Sequence, residues 1–190
     1  NGHAAGSLNG TGVVMLTTST DIATVSGSIT FNAGVTAGGN FLAGVDDAGT
    51  ITTGYLALTG DLIAGTAQPA IRKGTILLNP TGTGSSYSLF DMREGTLRLG
   101  KNNAILTTAE VKLGVHGVTS VDLNGFSLTR GRISGVTTAG VIVNSAATAS
   151  VITVGQGRVL TDTDTFAADI QEGVSGTIRL VKTGAGVLIL

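Results

Sequence analysis

Glycoside hydrolysis needs two carboxylates on one face, about 5 to 10 Å apart, one as acid and the other as nucleophile or base. Two acidic pairs in this chain come near that requirement, Asp46 with Asp47 and Asp162 with Asp164. Adjacent Asp46 and Asp47 point to opposite sides of an extended segment, and their DDAG context reads as a turn. Asp162 and Asp164 can share a face within TDTDT, and both pairs read as solvated loop residues. Asp162 and Asp164 are also the candidates for a calcium site, because alternating acids in a loop supply hard oxygen ligands. Neither an EF-hand spacing nor a Gly-rich Asp nonapeptide surrounds them. His3 and His116 have no ligand partner near them in the sequence.

Other chemistries find less to work with. The absence of Cys removes disulfides, thiolate metal sites and Cys nucleophiles. Serine is plentiful, but no GxSxG elbow occurs, and the Gly-rich stretches lack the GK[ST] ending of a phosphate loop. A pI near 6.1 with two Tyr, five Phe and no Trp leaves neither a basic stripe nor an aromatic platform for nucleic acid. The expectation is a non-enzymatic protein with no catalytic residue, no cofactor and no nucleic-acid partner.

What positions these residues is a chain that is nearly all β. No long stretch keeps a helical apolar period, whereas short alternations such as Thr96-Leu97-Arg98-Leu99 and Val151-Ile152-Thr153-Val154 recur. Hydrophobic residues make up 42% of the 190, enough for a core, while charged residues make up only 12%. Gly-led strands begin at Gly27, Gly54, Gly74 and Gly95, and a similar segment, GTIRLVKTG, begins at Gly176. The first three intervals, 27, 20 and 21 residues, suit turns of a parallel β-solenoid better than hairpins. Division of the chain by such intervals gives about eight turns of a single solenoid over residues 1–190. Asn32, Asn79, Asn124 and Asn144 each follow an apolar strand and are expected at corners, bonding to the coils above and below.

Residues 1–12, around His3, read as a mobile N-terminal arm, with any signal peptide already removed. No run approaches a membrane-spanning length, so membrane insertion is not expected. Val187, Leu188, Ile189 and Leu190 form an apolar strand expected to meet Val13, Val14, Met15 and Leu16 of another copy. Charge supports such an encounter: residues 1–71 hold four acids and no Lys or Arg, whereas residues 72–190 hold eleven bases and eight acids.

From about Arg93 onward the chain resembles the autotransporter-associated β-strand repeats of bacterial autotransporter adhesins. The matching segments are EGTLRLGKNNAILTTAEVKLG (Glu94 to Gly114), SVDLNGFSLTRGRISG (Ser120 to Gly135) and VKTGAGVLIL (Val181 to Leu190), in the family's order. Residues 93–190 are the best-matching part, and RKGTILL from Arg72 is an eroded echo of the closing segment. The resemblance implies a right-handed parallel β-helix on the outside of a bacterial cell, with a scaffold role or an adhesive one toward cell-surface or glycan ligands. The family's aromatic-girdled β-barrel has no counterpart in these residues. Two readings follow, a passenger piece of an adhesin and a free-standing building block that forms a filament.

Overall fold

A computed structural model describes residues 55–63, 70–71, 74–83, 85–115, 117–135, 137–173 and 176–190, together with six strands between residues 6 and 43; side chains are described from residue 57 onward, residues 70–71 apart. The strands, numbered in chain order, run two to five residues each, kept short by the Gly, Thr and Asn that recur between apolar residues. Eight of them form one sheet in the order β1 (Gly6–Leu8), β4 (Ser28–Phe31), β7 (Tyr55–Leu58), β10 (Thr75–Leu78), β12 (Gly95–Leu99), β14 (Thr119–Asp122), β17 (Gly140–Val143) and β20 (Asp169–Gln171). A second side holds β2 (Val14–Leu16), β5 (Val35–Ala37) and β8 (Leu62–Ile63), and further along β15 (Leu128–Arg130), β18 (Ser150–Val154) and β21 (Ile178–Lys182). A third holds β3 (Thr20–Ile22) with β6 (Phe41–Ala43), then β9 (Ala70–Ile71), β11 (Leu89–Met92), β13 (Glu110–Leu113) and β16 (Ile133–Gly135), then β19 (Thr163–Thr165) with β22 (Val187–Ile189).

Every described strand pairing is parallel. The chain passes from one side to the next and returns to the first, so it is an all-β solenoid of parallel coils. Ser28 pairs with Tyr55, Tyr55 with Thr75 and Thr75 with Thr96, offsets of 27, 20 and 21 residues that equal the intervals of the Gly-led segments. The Gly176 segment departs from that series. Its strand, β21, pairs with β18 on the second side, and Asp169–Gln171 takes the place beside β17 in the eight-stranded sheet.

Parallel strands place like on like. Leu56, Ile76, Leu97, Val121, Ile142 and Ile170 stand in one column of the register, and Ile76, Leu97, Val121 and Ile142 are buried. Burying each such side chain is worth about 1.5 to 3 kcal/mol relative to leaving it exposed. A second column, Phe90, Val111 and Ile133, faces it from the third side. Tyr87 packs its ring edge-on to Phe90 at 5.7 Å between centroids and accepts a 3.1 Å bond from the Leu106 amide. Burial raises the Tyr87 hydroxyl above its ordinary pKa of 10.0, against the pull of the Leu106 bond and of nearby Arg130.

Close stacking leaves some corners no room for a side chain. Gly155 and Gly184 lie in neighbouring coils, one position out of register, with φ of +88° and +66°, and a Cβ on either would overlap a carbonyl oxygen, that of Thr183 or of Gly155. Asn124 also takes a left-handed conformation, φ +49°, at a corner. Of residues 1–12, Gly6–Leu8 forms β1, paired with Ile29–Phe31 of β4. His3, Val13, Asn32, Asp46, Asp47 and His116 lie outside the described residues. Among the described residues no helix is long and apolar enough to cross a membrane.

Candidate functional site

Two polar constellations interrupt the stacked apolar columns. The first surrounds Asp122, at the end of β14. Its Oδ1 accepts the amides of Asn124 (2.9 Å) and Ser145 (3.0 Å), and its Oδ2 accepts the Ser145 hydroxyl (2.7 Å) and Arg98 Nε (2.8 Å). Burial works to raise this carboxyl, and the bonds from Ser145, Arg98 and Asn124 outweigh it, so its pKa lies below the ordinary 3.8. A carboxyl depressed by folding contributes stability that is complete above its unfolded value and is lost as pH falls through its folded one. Asp122→Asn is therefore expected to cost about 1 to 3 kcal/mol at neutral pH and to flatten the decline in stability below about pH 4. Urea midpoints of both proteins at pH 7 and pH 3 check this, and an equal decline in both would contradict it. Arg98 is half exposed, so water screens part of its attraction for the carboxylate.

Two of the expected corner residues flank that carboxylate. Asn124 donates its side-chain amide to Leu99 O in the preceding coil (3.0 Å). Asn144, fully buried, accepts the Gly125 amide (2.8 Å) and donates to Thr148 O (2.7 Å) and Thr177 O (3.3 Å). Asn79 is half-buried, and its amide donates to Leu58 O at 2.8 Å. By register Asn79, Gly100, Asn124 and Ser145 share one column, and Asn144 falls one position before it, level with Leu123. The described asparagines thus bond to neighbouring coils individually, each to backbone groups.

The second constellation lines an open groove of about 570 Å³ along the corner between the second and third sides, where Ser88, Thr107, Glu110, Arg132, Gln156 and Arg158 meet from successive coils. Arg132 Nε lies 2.9 Å from Asp164 Oδ1 and its Nη1 lies 3.5 Å from Glu110 Oε2. Arg158 grips Asp164 with two prongs, Nε to Oδ2 and Nη2 to Oδ1, each at 3.1 Å. Alternation in β19 turns Asp164 inward, where it is buried. Asp162 caps the turn before it, its Oδ2 accepting the Val159 amide at 2.8 Å with Arg158 Nε at 3.4 Å. Glu110 Oε1 accepts the Ser134 hydroxyl at 2.5 Å.

This arrangement is a clamp that fastens the loop after β18 to β16 and β19. A calcium ion at Asp162 and Asp164 would have to displace guanidinium groups from the same oxygens, and among the described residues no group of three His, Cys, Asp or Glu gathers in metal-ligating range. What the groove offers a ligand is hydroxyl, amide and guanidinium hydrogen bonds repeated from coil to coil.

Arg130 is a third feature. It lies wholly inside the solenoid, donating from Nη1 to Leu106 O and from Nη2 to Ala109 O, with Nε unpartnered. Burial pulls its pKa down to about 10, partly offset by Tyr87, and it stays cationic at neutral pH.

The expected assembly residues divide between sides. Val14–Leu16 form β2, on the second side, paired with β5; Val187–Ile189 form β22, on the third side, paired with β19. Val187, Ile189 and Leu190 are exposed, with Leu190 at 76%, and so are Val159 and Leu160 in the loop after β18. Reasoning from sequence missed Glu110, Arg130, Arg132 and Arg158. No protein-family model, no curated protein and no solved structure matches the chain.

Proposed function

We propose that the chain is a non-enzymatic structural rod, a right-handed parallel β-helix of about eight turns that lengthens by stacking copies head to tail at a bacterial cell surface. The observation that carries this reading is the set of three edge strands, β20, β21 and β22, each last in its sheet, with exposed apolar side chains beside them. Where such an apolar edge is left free, it is a template for another strand. At the opposite edge stand β1, β2 and β3. Side for side, β20 would meet β1, β21 would meet β2, and β22 would meet β3 of the next copy; β22 meets β2 only if the copies are turned by one side. The acids of residues 1–71 and the excess of bases in residues 72–190 draw these ends together. Handedness rests on the general rule that crossovers between parallel strands of one sheet are right-handed. Placement outside the cell rests on the resemblance of residues 93–190 to autotransporter repeats.

The polar corner groove supports a second reading, a passenger piece of an adhesin that holds host or glycan surfaces. A third, a polysaccharide-degrading enzyme, is opposed by the engagement of Asp164 with two arginines.

Negative-stain electron microscopy over a concentration series separates the first two. With coils about 4.8 Å apart, one copy is about 40 Å long. Filaments with a repeat near that length are expected; short rods of one size at every concentration would overturn stacking and leave the adhesive reading.

A further inference from the structure

The peptide bond between Asn124 and Gly125 combines two facts of opposite tendency. In an open chain, Asn followed by Gly is the pairing most prone to lose its side-chain amide, because Gly leaves the following nitrogen unhindered and the backbone free to bend. That nitrogen attacks Asn Cγ after giving up its proton to solvent base; the new C–N bond closes a five-membered succinimide, the Cγ–Nδ2 bond breaks and ammonia leaves. Water then opens the ring at either carbonyl, so the net change is amide plus water to carboxylate plus ammonia, as Asp or isoaspartate.

In the folded coil both reacting ends are held. The Gly125 amide, the nucleophile, donates its proton to Asn144 Oδ1 at 2.8 Å, and Nδ2 of Asn124, the leaving group, donates to Leu99 O at 3.0 Å. Asn144 is itself buried and fixed by its bonds to Thr148 O and Thr177 O. The Asn124 amide is tied to Asp122 Oδ1, and φ values of +49° and +81° at Asn124 and Gly125 hold the corner in one conformation.

We propose that Asn124–Gly125 is a modification site that is silent while the coils stay stacked and forms a succinimide when the coil around residues 123–125 separates from its neighbours. The product cannot restore the contact. A carboxylate at position 124 faces Leu99 O, which accepts and cannot donate; isoaspartate adds a methylene to the backbone at a corner whose two amides are committed to Asp122 and Asn144. A transient opening is converted into a permanent one.

Trypsin releases Asn124 in the peptide Leu113–Arg130, where it is the sole amide side chain, so its conversion is read unambiguously by mass spectrometry. The intact chain is incubated at mildly alkaline pH beside the same free peptide. Local opening gates both deamidation and hydrogen exchange, so the slowing relative to the peptide is expected to equal the exchange protection of the Gly125 amide, at about a hundredfold or more. Asn144→Ala, folded by circular dichroism, is expected to react several-fold faster. Equal rates in chain and peptide, or deamidation less protected than Gly125 exchange, would overturn the proposal even if Asn144→Ala failed to fold.

Discussion

Arg130→Ala is expected to lower the free energy of unfolding by about 3 to 5 kcal/mol, and Arg130→Met to recover most of that loss. The alanine empties the site of the largest fully buried side chain among the described residues and leaves Ala109 O without its donor. Leu106 O retains the Ala109 amide at 3.1 Å. Methionine refills the volume and removes a cation whose desolvation is offset by two carbonyls and a tyrosine, with no described carboxylate beside it. Replacing a buried charge with an apolar side chain of similar bulk is often neutral. Urea unfolding of the three proteins decides the matter: a methionine variant as weak as the alanine variant would mean that the carbonyl bonds, not the packing, hold the loop between Leu106 and Ala109.

The second large effect concerns glycine. Gly184→Ala and Gly155→Ala are each expected to cost more than about 3 kcal/mol, combining left-handed strain of about 1 to 2 kcal/mol with overlap against the facing carbonyl. Gly157→Ala supplies the contrast, since φ there is +74° but nothing lies within 4 Å of a Cβ, and it should cost the strain alone. The damage should be local to β21 and β22, so hydrogen exchange by segment is the appropriate measurement. Equal effects at Gly157 and Gly184 would show that conformation, and not stacking distance, is what these positions require.

Much of the fold was legible because stacking repeats. Gly at the head of a strand marks the corner before it, and the intervals from Gly27 to Gly95 are the register itself. The same cue misled at Gly176, because GTIRL and GTLRL look alike and lie on different sides of the coil. Loop lengths between sides differ from turn to turn, and local text does not record which side a strand belongs to. The burial of Arg130 was readable in principle: Leu128 faces in and Thr129 out, so period two turns Arg130 inward. The groove was not readable, since Glu110, Arg132 and the pair Arg158 and Asp164 come from three successive coils, which meet through the register of the third side. Asp164 looked solvated because Arg132 reaches it from the preceding coil and Arg158, six residues back, is brought to it only by the turn between β18 and β19.

The direction of the bonds between coils has a mechanical consequence. Contacts such as Thr96 N to Gly74 O (2.7 Å) and Leu123 N to Val143 O (2.8 Å) run along the stack, so tension on its two ends loads every junction in series and stretches each bond along its own length. A series fails at its thinnest joint. β18 and β21 share five residue pairs, whereas on the second side β8 is joined to the next coil by the bridge of Ile63 with Ser86 and by Ser85, whose Oγ accepts the Leu62 amide and donates to Asp61. On the second side the ladder is therefore thin after β8 and full between β18 and β21, and the step after β8 carries its load through the four pairs that join β7 to β10 on the first side.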